Sequence, residues 1–257
     1  MNKIAAMTEG GAILGRVREA LYQEMKVGAS PRSLELLARK LIKAEGGELS
    51  FTKVPGYHWA TCININSGIV HGIPESDEPF KDGDLVTVDV GVYYRGYHTD
   101  AAVSRVVGTS TPEKDRFLEA GMKSLMAAIA AVKPGNRVGD ISEAMGNTIT
   151  SFGYATTREL TGHGVGHDLH EEPMIPELKV APRENTPELE VGQTIAVEVN
   201  YVQGKPGLVL EEDGWTISTK DGKLSAVFEE TVLVTVDGHS ILTAPVLSQI
   251  IQSGTMQ

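Results

Sequence analysis

The sequence predicts an α+β fold in which a helix-helix-strand unit occurs twice. Apolar spacing of about 3.6 residues gives way to alternation with a period of two, and this switch happens twice in the same order. The two passes also share faintly matching text: "VGASPRSLELLARKLIKAEGGELSFTK" lines up with "VKPGNRVGDISEAMGNTITSFGYATTR" as turn, helix, glycine and polar strand entry. A chain of 257 residues buries a substantial core. One domain over residues 1–257 is therefore expected, with halves near 1–110 and 111–240, and a duplication places a site where the halves meet.

The elements follow in order. Residues 3–26 and 31–45 carry helical periodicity, the second opened by Ser30 before Pro31 and stopped by Gly46 and Gly47. Strands follow at "TCINI", "LVTVDVGVYY" and "YHTDAAVSRVVG". Pro112 opens a helix to about Val132, and a further helix fits 138–152. The runs "TIAVEVNYV", "GWTIST" and "AVFEETVLVT" are rich in valine, isoleucine and threonine and predict strands. Between the last helix and these runs lies "TGHGVGHDLHEEP", which has the pattern of neither a helix face nor a strand. The charged segment Pro176 to Gly192, with its prolines, predicts a surface loop or lid bordering the substrate cleft beside His170.

A net charge of -11 argues against a nucleic-acid backbone or an anionic membrane as the main partner. The single cysteine, Cys62, excludes an intrachain disulfide and suits a reducing compartment. Glu9, Gly10 and Gly11 interrupt any apolar signal core at the start, and the run Leu125 to Val132 is far shorter than the ~20 residues that span a bilayer. A cytoplasmic protein with no membrane partner is expected.

Chemistry enters with "VDVGVYYRGYHTDAAV". If Arg95 and Gly96 form a two-residue hairpin turn, paired residues sum to 191 and Gly91 faces Asp100. Asp89 then lies diagonal to Asp100 on one face, roughly 7 to 8 Å away at the backbone, so both carboxylates can converge on a cation. Without one they repel and hold raised pKa values. Two later strands also carry acids inside apolar runs: Glu198, and the adjacent Glu229 and Glu230. Burying an ionised carboxylate is costly unless it is paired or coordinated. Alternation lets only one of Glu229 and Glu230 point at a common centre. Gly162, Gly164 and Gly166 allow tight turns and close approach, leaving His163 aimed at a metal and His170 able to reach its ligand. One imidazole with four carboxylates is a hard, oxygen-rich set able to hold two divalent ions about 3.5 to 4 Å apart.

These residues resemble methionine aminopeptidases of the short, type I kind, which share the pita-bread fold with Xaa-Pro dipeptidases and aminopeptidase P. The resemblance runs from "KIAAMTEGGAIL" to "TVLVT" and rests on "VHGIP", "DVGVYYRGYHTD", "GHGVGHDLHEEP" and "GWTISTKDGKLSAVFEETVLVT". It implies a curved antiparallel sheet, and two divalent ions (manganese, iron, cobalt or zinc) held by Asp89, Asp100, His163, Glu198 and Glu229. Glu230 would then face away. It also implies that a hydroxide bridging the ions attacks the first peptide carbonyl. His71 would contact the scissile amide nitrogen, His170 would bond the carbonyl oxygen, and Glu198 would carry the proton to the leaving amine. Tyr57, Cys62 and Trp215 match positions lining the side-chain pocket, next to His71 and His170. Implied partners are nascent polypeptide N-termini, at the ribosome, with a monomeric enzyme and no direct nucleic-acid binding.

Four departures bear on selectivity. Val199 stands where proline follows the glutamate in "EPMVN", Leu169 where phenylalanine is common, and Glu230 where "FEHT" has histidine. Val70 precedes "HGIP", where cysteine or valine occurs. Two alternatives remain, an Xaa-Pro peptidase of the same fold and a non-catalytic binding protein built on it. "VHGIP" and "GWTISTKDGKLSA" count against the first, and the complete ligand set against the second.

Overall fold

The computed structural model describes residues 2–243. Helix α1 (Lys3–Glu24) starts where the Asn2 side chain accepts from the Ala5 N–H, and α2 (Pro31–Ala44) starts where Ser30 accepts from Ser33. Strands β1 (Glu48–Leu49), β2 (Thr61–Ile65), β3 (Gly68–Val70), β4 (Leu85–Tyr94) and β5 (Tyr97–Val106) follow. Then come α3 (Pro112–Ala130), capped by Thr111, and α4 (Val138–Ser151). The remaining strands are β6 (Ala155–Thr156), β7 (Thr161–Gly164), β8 (Glu171–Pro176), β9 (Thr194–Val202), β10 (Leu208–Leu210), β11 (Ile217–Thr219), β12 (Ser225–Thr235) and β13 (Gly238–Ile241). No described helix is long and apolar enough to cross a membrane.

The same construction appears twice. Helices α1 and α2 cover the β4 sheet over a core that includes Leu14, Leu21, Val88 and Val90, while α3 covers β9 and β12 and α4 packs on α3, β6 and β8, over a core that includes Leu125, Ile141, Val197 and Val199. In the first sheet β4 pairs with β5 along one edge and with β2 and β1 along the other. The second runs β13-β12-β9-β7-β8, with β6 also on β9, and a small sheet joins β10, β11 and β3. All pairings among the described residues are antiparallel, as expected, and they form three sheets.

The gap between the two large sheets has a definite chemistry. Strands β5 and β12 lie side by side, bridged by hydroxyls. Thr231 Oγ1 accepts from the Asp100 N–H at 2.9 Å and donates to the Asp100 carbonyl, and Ser104 Oγ does the same for Val227 at 3.0 and 2.8 Å. Each hydroxyl therefore satisfies one backbone donor and one acceptor of the opposite strand.

Several sequence expectations change. The stretch Thr161 to Pro173 contains strand β7 and the start of strand β8, with a turn between them. Its glycines serve close approach: a Cβ at Gly162 would sit 2.6 Å from the Ala196 carbonyl, and none of Gly162, Gly164 and Gly166 has a positive φ. The 176–192 segment lies along α4, tied by Arg183 to Asp140 at 2.7 Å, Lys179 to Glu143 and Arg137 to Glu188.

Candidate metal centre and substrate pocket

The Arg95-Gly96 turn has the two positive φ values, 49° and 94°, of a two-residue hairpin. Gly91 pairs with Asp100 and Asp89 with Ala102, the expected register, so Asp89 and Asp100 share a face. Strand β2 places Cys62 directly across from Asp89. In the other half Glu229 pairs with Glu198 across β12 and β9, and His163 on β7 pairs with Ala196. The seam between β5 and β12 brings these two faces together.

Three of the five expected ligands form one group. Asp100, His163 and Glu229 each offer an atom within 4.8 Å of the others, a group able to hold a metal ion. His163 Nδ1 lies 2.9 Å from the Gly164 carbonyl, which takes its proton and turns the Nε2 lone pair inward. That Nε2 stands 4.0 Å from Asp100 Oδ2 and 3.9 Å from Glu198 Oε1. One oxygen each of Asp89, Asp100 and Glu229 is buried without a hydrogen-bond partner among the described residues.

The electrostatics follow from this crowding. Burial, then the Glu198 charge, pushes Asp100 up to about 7, and burial pushes Glu198 up to about 8 against a hydrogen bond from Asn200 that lowers it. Asp89 and Glu229 are also raised, by burial first and by Asp100 second. Burial holds His163 down at about 4, so its imidazole is neutral and offers a lone pair. Acceptors facing acceptors in a desolvated pocket require a cation or protons, and this oxygen-rich set with one imidazole fits a divalent metal.

Beside the cluster opens a cavity of about 130 Å³. Its apolar wall comprises Phe51, Val54, Tyr57, Cys62, Leu169 and Trp215, and His71, His170, Asp89 and Asp100 also line it. Tyr57 donates to the Thr61 carbonyl at 2.8 Å, lies 3.1 Å from the Cys62 sulfur and stacks edge-on against Trp215. His71 has a left-handed backbone, φ 59°, and His170 lies with its ring centre 4.5 Å from that of His163. Burial lowers both pKa values, so His71 and His170 are predominantly neutral at pH 7. A larger hollow of 290 Å³ lies between Tyr22, Arg105 and Met122, where no such ligand set converges among the described residues.

Sequence reasoning missed Phe51 and Val54, whose only signal is nearness to Tyr57. It also missed Asn200, although alternation puts that residue on the Glu198 face. None of the 176–192 segment lines the cavity.

A family profile described as metallopeptidase family M24 matches residues 5–236. The chain belongs to metallopeptidase family M24. Among M24 relatives, the methionine aminopeptidase of Aquifex aeolicus is 37% identical over 94% of this chain and 96% of its own length. Methionine aminopeptidase 1 of Bacillus subtilis is 36% identical over the same shares. The crystal structure of methionine aminopeptidase from Thermotoga maritima superposes with a TM-score of 0.91 at 35% identity, covering 95% of this chain and 97% of that one. The prolidase of Pyrococcus furiosus shares the fold at a TM-score of 0.73 and 24% identity, and only 64% of it is covered. The pita-bread fold and the metallo-aminopeptidase activity on N-terminal methionine implied by the sequence are thus supported by M24 relatives of matching length.

Proposed function

We propose that the chain removes the N-terminal methionine of nascent polypeptides with two divalent ions held by Asp89, Asp100, His163, Glu198 and Glu229. The observation that carries this reading is the convergence of Asp100, His163 and Glu229, with unpartnered carboxylate oxygens, at one end of an apolar cavity. When bound, divalent ions supply Lewis acidity and a water acidic enough to act as nucleophile near neutral pH. The protein's own groups do the rest. Tyr57, Cys62 and Trp215 receive the methionine side chain and exclude water around it. Neutral His170 donates to the carbonyl oxygen as negative charge develops there. His71 contacts the scissile amide nitrogen. Glu198 takes a proton and passes it to the leaving amine.

The chain is read as one domain over residues 1–257, of which 1 and 244–257 lie outside the described residues, from halves near 1–110 and 111–240, acting as a cytoplasmic monomer on chains emerging at the ribosome. Its charge of -11 gives no support to direct contact with RNA. The ions' identity among manganese, iron, cobalt and zinc follows availability as much as ligand type.

The test is release of free amino acid from Met-Ala-Ser and Ala-Pro-Ser by metal-free protein resupplied with manganese or cobalt, alongside His163→Ala. Metal-dependent release of methionine alone, lost in the variant, is expected. Preference for the proline peptide would move the chain to the Xaa-Pro branch, and no cleavage of either would favour a binding protein.

A further inference from the structure

We infer that Glu177, outside the ligand set, is a positioning residue that acts through Asn200 to decide which oxygen of Glu198 faces the metal centre. Glu177 follows β8 and is 1% exposed, and Asn200, two residues past Glu198 on β9, is fully buried. The Glu177 carboxylate grips Asn200 twice: Oε2 accepts the backbone N–H at 3.1 Å, and Oε1 accepts Nδ2 at 2.6 Å. The same Nδ2 donates to Glu198 Oε2 at 2.7 Å.

An amide nitrogen has two hydrogens, and here each is given to a different carboxylate. A flipped amide would set Oδ1 against two acceptors, so Glu177 fixes the way the amide stands. Asn200 Oδ1 finds no hydrogen-bond partner among the described residues, which shows that the orientation is set by the two carboxylates and not by that oxygen. With Oε2 of Glu198 held by Asn200, Oε1 is the oxygen turned toward His163 Nε2, 3.9 Å away. Valine at 199 suits this arrangement, because β9 runs unbroken from Thr194 to Val202, where a proline would remove a backbone donor. Glu177 is thus an outer partner of the centre that touches neither a metal ligand nor the cavity, and this assignment rests on the reading of Glu198 as a ligand.

The test is calorimetric titration of manganese into metal-free wild type, Glu177→Gln, Asn200→Ala and the double variant. Glutamine at 177 sets an N–H against one of the Asn200 donors, so affinity should fall about tenfold, the lower end for a lost outer partner. In the double variant, the glutamine should add no penalty beyond that of Asn200→Ala, since both act by one route. Wild-type affinity in Glu177→Gln, or full additivity in the double variant, overturns the inference. So does a lowered Tm with affinity unchanged, which marks a structural role only. If Glu177→Gln does not fold, Asn200→Ala decides: weaker manganese binding supports the inference and unchanged binding overturns it. A wild type that binds no manganese removes the ligand reading and this assignment with it, an outcome distinct from a failure in the variants alone.

Discussion

Glu229 and Glu230 are neighbours on β12, 3% and 0% exposed, and they face opposite environments. Glu230 meets Arg18 Nη2 at 2.6 Å and accepts from the Thr243 hydroxyl. The same arginine holds the Glu229 carbonyl at 2.8 Å and the Thr243 carbonyl at 3.0 Å. Glu229 has a carboxylate oxygen with no described partner and three acidic neighbours, Asp100, Glu198 and Asp89, that push its pKa up after burial does. Glu35 repeats the Glu230 pattern, accepting from the Ala60 and Thr61 backbones, the Thr61 hydroxyl and Arg39. A buried acid that the fold has satisfied belongs to the architecture, and one left unsatisfied among its own kind marks where a cation belongs.

The largest effect should come from breaking the unsatisfied member. Glu229→Gln is expected to cost about 4 kcal/mol of transition-state stabilisation, on the order of a thousandfold in kcat, while the Tm of metal-free protein holds or rises. Peptide turnover and calorimetry on one preparation check both halves of that statement. Glu230→Gln should do the reverse, losing about 3 kcal/mol of stability in a denaturant titration because Arg18 is left charged and buried, with turnover per folded molecule within tenfold of wild type.

The acid cluster should also make metal-free protein sensitive to pH. Asp100 at about 7 and Glu198 at about 8 bind more protons folded than unfolded, so each contributes stability that is lost as pH rises through those values. His163, His71 and His170 are lowered and act oppositely, giving back about 1 kcal/mol in all above the unfolded histidine value of about 6.5, while the raised Asp89 and Glu229 add to the loss on the acids' side. Between pH 6.5 and 8 the metal-free protein should therefore lose about 2 kcal/mol, and saturating manganese should flatten the slope, as Tm scans would record. The smallest effect belongs to an exposed pair: Arg16→Ala breaks the 2.7 Å bridge to Glu45 and should change stability by less than about 0.5 kcal/mol.

How much of this was legible depended on the range of the interaction. The β4-β5 register could be read from Arg95 and Gly96 because turn and pairing are adjacent in the chain. Alternation narrowed Glu229 and Glu230 to one ligand but could not choose, because the partner that satisfies Glu230 is Arg18, 212 residues away. Family resemblance made that choice, and in the fold Glu230 is paired with Arg18 while a Glu229 oxygen has no described partner. Strand β7 was hidden because Gly162 answers to the Ala196 carbonyl of β9 and Gly164 to the Glu172 carbonyl of β8, and strand propensity carries no trace of that. Glu177 could not be connected to Glu198 from sequence, since the link is an asparagine amide shared between segments that meet only in the folded chain.

The hydroxyls of Ser104 and Thr231 have a consequence for motion in solution. An amide hydrogen in a backbone ladder is freed when its own sheet opens, but those of Asp100 and Val227 are held by side chains of the opposite half. Their hydrogen exchange therefore reports separation of the two halves while each keeps its core intact. Asp100 and Val227 are the clock on which opening of the cleft can be timed.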